Sequence, residues 1–129
     1  MTLSPPEVGH LVASLLSVNG YGAERAAALL PAFRQAGLLD PSVVAAMDHE
    51  GLIVALATAG YSRGGFMPIL SYRLYPLMEA LAAGKLDELA ISVGTGDRER
   101  FGSALAVVHG WGPVTIETAW TLWRSALGG

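Results

Sequence analysis

Glycine, proline and capping residues interrupt this chain at short intervals, and the pieces between them are rich in alanine and leucine. That punctuation constrains the fold more than any other feature. Proline belongs in the first turn of a helix and glycine just past its end, so each piece reads as one helix. No stretch alternates apolar and polar residues for long, and β-branched runs are few, so strands are not expected. Ser4 caps and Pro5 opens a first helix through Leu11, Leu15 and Leu16 to about Val18. After the break at 19–22, a second helix is expected from about Ala23 to Ala36, closed by Gly37. Asp40-Pro41 starts a short helix through Val43, Val44 and Met47, and Asp48 caps another through Leu52, Ile53 and Leu56 to Gly60. A loop at 61–65 precedes the longest pattern, about Phe66 to Ala83, where Pro76 predicts a kink or split near Tyr72. A short helix over Lys85 to Ser92, a turn at 94–96, a helix from Asp97 to about Val108, and a last one from Pro113 to about Ala126 complete the chain. The expected fold is all-α, a compact orthogonal bundle of about seven or eight short helices in one domain over residues 1–129.

Composition narrows the function classes. The chain has no cysteine, which excludes disulfides, thiolate zinc sites, iron–sulfur clusters and cysteine nucleophiles. Its 3 histidines lie far apart, so no histidine metal site and no cofactor are expected. The net charge is −3, unlike the basic footprint of a nonspecific nucleic-acid binder. Mean hydropathy is high at +0.44, yet no uncharged run reaches the about twenty residues a membrane span needs. The first ten residues have no basic region, and Glu7 precedes the apolar run, so no secretory signal and a cytoplasmic location are expected. The apolar excess implies helices buried on more than one side, or a face covered by a second copy or a protein partner.

The most specific local pattern spans residues 105–119: an apolar helix ends, Gly110-Trp111-Gly112 turns, and a new helix starts at Pro113. This resembles the helix-hairpin-helix motif, hydrophobic-x-Gly-hydrophobic-Gly-x-x-Thr/Ser-Ala, here set between about residues 97 and 127. Val108, Gly110, Trp111, Gly112 and Thr115 match, and Ile116 replaces the usual alanine. Glycines let a phosphate approach the backbone, and the N–H groups of Val114 and Thr115 sit at a helix start, where anions bind. The resemblance implies a grip on double-stranded DNA backbone without sequence readout. It also implies room for one backbone-bound monovalent cation at the hairpin and no other metal. The bland alternative is a tight turn with Trp111 in the core.

A wider similarity joins the motif. Leu15-Leu16-Ser17, with Asn19 after it, resembles the opening barrel helix of the endonuclease III-like DNA glycosylases, which carry glutamine where Asn19 stands. Residues 52–70 resemble that family's helix, Gly-aromatic loop and following helix. The similarity implies that Asn19 and Tyr61 probe the duplex from the minor groove, one filling the space of a displaced base and one wedging the opposite strand. Val114 occupies the family's catalytic lysine position and cannot form a Schiff base. The family's aspartate lies past Gly129, its cysteine cluster is absent, and the 84–97 segment is longer than usual. The expectation is a binding domain without glycosylase activity. A helical interaction or regulatory module, such as a subunit or phage-type effector, and an enzyme reusing the barrel cleft for base modification both stay open.

Other residues have local readings. Between Gly51 and Met78 the only charges are Arg63 and Arg73, and Arg63 beside Gly64-Gly65 is a candidate phosphate contact. Asp48-His49-Glu50 fits a helix start better than an acid–base pair. His10 reads as a packed histidine, and His109 as closing the turn or approaching a phosphate. Arg98, Arg100 and Glu117 read as solvated. Trp120 and Trp123 share a helix face, as a core stripe would.

Overall fold

Four of the helices start where a side chain bonds a backbone N–H group. The computed structural model describes residues 3–18 and 20–128. Helix α1 (Pro5–Leu16) follows Ser4, whose N–H donates to Glu7 Oε1 at 2.7 Å. Helices α2 (Ala23–Ala28) and α3 (Leu30–Gln35) come next. The Asp40 carboxylate accepts from Ser42 N at 3.0 Å to open α4 (Pro41–Ala46), and Asp48 accepts from Gly51 N at 2.6 Å to open α5 (His49–Thr58). A 3₁₀ turn (Gly64–Phe66) leads into α6 (Met67–Ala82), and α7 (Leu89–Thr95) ends at Gly96. The Asp97 carboxylate accepts from Arg100 N at 3.1 Å at the start of α8 (Arg98–Ala106), and α9 (Pro113–Gly128) closes the described chain. The all-α class is as expected.

Three elements differ from the sequence expectation. The single helix over Ala23–Ala36 is two. Pro31 has no N–H to return to Ala27, so the chain steps at Leu29, whose N–H bonds Ala26 O at 3.2 Å instead. Helix α6, by contrast, runs unbroken through Pro76. An internal proline costs about 3 kcal/mol, but Leu74, Leu77, Met78 and Leu81 flank it and are all buried. Their burial is worth about 1.5–3 kcal/mol each, so the core face holds the helix together. The helix expected over Lys85–Ser92 sits later, because residues 84–88 are spent on turns after the cap at Gly84. Nine α-helices thus stand among the described residues.

The apolar excess is absorbed by helices buried on several sides. In α1, Val8, Leu11, Val12, Leu15 and Leu16 are all inaccessible, since α2, α3, α6 and α9 pack around it. Helices α4 and α5 lie against α6, while α7 and α8 lie against α9. The tryptophan stripe is core: Phe101 meets Trp120 and Trp123 edge-on at 5.3 and 6.0 Å. His10 is packed, its ring 5.7 Å from that of Trp123, and burial holds its pKa below the usual value against the pull of Glu7. Among the described residues no helix is long and apolar enough to cross a membrane.

Candidate nucleic-acid interface

The six residues 107–112 link α8 to α9. Val108 and Trp111 turn inward and are buried, and Trp111 N–H bonds Val108 O at 3.2 Å, which closes the loop. The Trp111 indole N–H is buried with no acceptor among the described residues. Gly110 has φ 95°, and a Cβ there would lie 3.4 Å from Arg73 Cγ, so the fold itself demands glycine and brings α6 against the turn. Gly112 is different. Its φ is ordinary, and a Cβ would meet nothing within 4 Å. The fold has no need of a glycine there, and its bare backbone is open to an approaching group.

The N–H groups beside Gly112 are placed to receive such a group. The first intrahelical bond of α9 that starts beyond Pro113 runs from Ile116 N to Gly112 O at 3.0 Å. The N–H groups of Val114 and Thr115 precede it and have no acceptor within the helix. Val114 is 79% exposed, whereas the Thr115 side chain is buried. Val114 therefore stands exposed in the first turn of α9.

The two residues implied to probe a duplex are Asn19 and Tyr61. Asn19 lies outside the described residues. Tyr61 is wholly buried: its hydroxyl donates to Leu16 O at 2.8 Å, and its ring meets Tyr21 edge-on at 5.0 Å. Burial pushes its pKa up, against the opposing pull of Arg63. The expectation that Tyr61 wedges into DNA is corrected here. Gly60, at φ 107°, caps α5, and the residue after such a cap folds inward, with Tyr61 N–H bonded to Leu56 O at 2.9 Å. Arg63 is likewise a tie. Its Nη1 donates to Val18 O at 3.0 Å and to the Tyr61 hydroxyl at 3.3 Å, and its guanidinium lies over the Tyr21 and Phe66 rings. A phosphate there would share a guanidinium already at work on the end of α1.

What faces outward is one side of α6 and the end of the turn before it. Phe66, Ile69 and Tyr72 recur every third residue and are 49%, 55% and 60% exposed. His49 stacks on Tyr72 with ring centroids 3.7 Å apart, and its Nε2 is 2.6 Å from Ser71 Oγ and 3.1 Å from Pro68 O. This is not a nucleophile pair that a substrate could reach, since Ser71 is wholly buried and Asp48 is occupied as a cap. Sequence reasoning missed this arrangement, and no spacing signal marks it. At the far end of the face, Ile69, Tyr72, Arg73 and His109 line a cleft of about 320 Å³. On its other side His109 borders a second cleft of about 510 Å³ that holds Glu79 and Lys85.

Two ion pairs lie on the surface near α8 and α9: Arg98 with Glu117, and Arg100 with Glu88 at 2.7 Å. Among the described residues no cluster of His, Asp or Glu could hold a metal ion. No family model matches the chain, and no curated protein or solved structure matches it.

Proposed function

We propose that this chain is a helical DNA-binding domain, built like the barrel of the endonuclease III-like glycosylases, that holds duplex backbone at residues 110–115. The observation that carries the reading is Gly112, a glycine that nothing in the fold requires, at the open start of a 16-residue helix. A phosphate at Gly112 would accept from Val114 N–H, and Thr115 N–H lies next in line. The helix dipole favours the charge. Hydrogen bonds to a charged group contribute about 1.5–3 kcal/mol each, and Arg73 and His109 flank the site with further donors. With valine at the lysine position, the reading is of a protein that binds, and senses distorted or damaged DNA, without cleaving a glycosidic bond.

The test is a titration of labelled duplex with the wild type and Gly112→Asp. Aspartate fits the space at Gly112 and caps a helix well, so folding is retained, but its charge repels phosphate. A drop in affinity of about tenfold or more, with an unchanged circular dichroism melt, is expected. Failure of the wild type to bind any duplex at low salt would sink the reading.

A second reading, self-association, is favoured by the exposed apolar stripe of Phe66, Ile69 and Tyr72. Size-exclusion chromatography of the wild type and Ile69→Lys separates it: a dimer lost in the variant supports it, a monomer removes it.

A further inference from the structure

The cleft between α6 and the hairpin has a composition that one ligand class matches. It is lined by Ile69, Tyr72, Arg73 and His109, with no carboxylate among them. Arg73 makes no hydrogen bond or ion pair among the described residues and so keeps its donors available. One side of the Tyr72 ring is covered by His49, yet the residue remains 60% exposed, which leaves ring surface open to the solvent. An aromatic surface, a cation and an imidazole beside an aliphatic side chain suit a planar heterocycle that carries an anion. Stacking on an aromatic ring with a cation close by is how single strands are held.

We infer that this cleft receives an unpaired nucleotide of a DNA strand, its base stacked on Tyr72 and its phosphate drawn to Arg73. Bases inside a duplex have both faces covered by their neighbours, so only an unpaired one can use the ring. Gly110 packs against Arg73, which puts the cleft directly beside the hairpin. The inference rests on the hairpin holding backbone, and it then names the preferred target: a duplex with an unpaired nucleotide next to the gripped phosphates. Tyr72, rather than the buried Tyr61, is the residue that senses the distortion.

The experiment compares a labelled intact duplex with the same duplex carrying one unpaired thymidine, using the wild type, Tyr72→Ala, Tyr72→Phe and Gly112→Asp. The wild type should prefer the bulged duplex by about tenfold, the size of one base–aromatic stack. Tyr72→Ala should erase that preference while leaving intact-duplex affinity within about twofold, and Tyr72→Phe should restore it. Gly112→Asp should weaken both probes. Absence of any bulge preference in the wild type, or a preference that survives Tyr72→Ala, overturns the inference and leaves backbone binding standing. Loss of all duplex binding by the wild type removes both. Competition by free deoxythymidine monophosphate as effective as the bulged duplex would make this a mononucleotide site and overturn the strand assignment. Tyr72→Ala is an exposed change to the best helix former, so its folding is secure and checkable by circular dichroism.

Discussion

At the scale of single residues, tertiary contacts decided which aromatic side chains are presented. Tyr61 and Tyr72 look alike in sequence, each a tyrosine in an apolar stretch beside an arginine. Tyr61 follows a left-handed glycine and bonds a carbonyl 45 residues earlier, whereas Tyr72 lies on the solvent side of α6 under His49. No local pattern carries those long-range partners. Trp120, Trp123 and His10 were legible because their places along α9 and α1 already marked a core face. His10 allows a prediction about pH. Its pKa is lowered in the fold, chiefly by burial, so the unfolded chain binds the proton more readily. Stability from neutral His10 is therefore complete above the unfolded value of about 6.5 and falls as pH drops below it. Urea midpoints should decrease between about pH 7 and about pH 5.5, and His10→Gln should flatten that slope. An unchanged slope in the variant would place the pH dependence elsewhere.

At the scale of elements, helix starts were legible and helix continuity was not. Asp40, Asp48 and Asp97 each cap the helix that follows, because a cap acts within three residues of itself. Pro31 and Pro76 show the limit. One breaks a helix and the other does not, and the difference is the buried leucines around Pro76, which only packing reveals. The hairpin was legible as a turn, while the unequal roles of its two glycines were not. That inequality predicts a dissociation. Gly110→Ala forces a side chain into the left-handed region, at a cost of about 1–2 kcal/mol. Gly112→Ala meets no such penalty and should leave the thermal midpoint within about 2 °C, a stability change below about 0.5 kcal/mol. Its methyl group would nonetheless stand where a phosphate approaches, so DNA affinity should fall severalfold. Paired melting and binding measurements on the two variants test this. Equal destabilisation would mean that both glycines serve the turn alone.

At the scale of the whole molecule, the acidic balance and the proposed DNA contact are reconciled by where the cations are. The chain has 8 lysines and arginines. Arg98 and Arg100 are paired with glutamates, and Arg124 donates to Val93 O at 2.9 Å. Arg63 and Arg73 flank the α6 face, and Arg63 is partly committed to Val18. Backbone N–H groups, on which the proposed grip relies, carry no net charge and release no counterion of their own. Each phosphate neutralised by a side chain contributes about −0.9 to the slope of log affinity against log salt. With Arg73 and a shared Arg63, the slope should lie between about −1 and −2. A protein making six to ten such contacts is several times steeper. Fluorescence anisotropy of a labelled duplex across a salt series measures this directly. Arg73→Gln should make the slope shallower by about 1, whereas Gly112→Asp should lower affinity at every salt concentration. A slope steeper than about −5 would assign the binding to cations away from the hairpin, and the backbone-led grip would have to be abandoned.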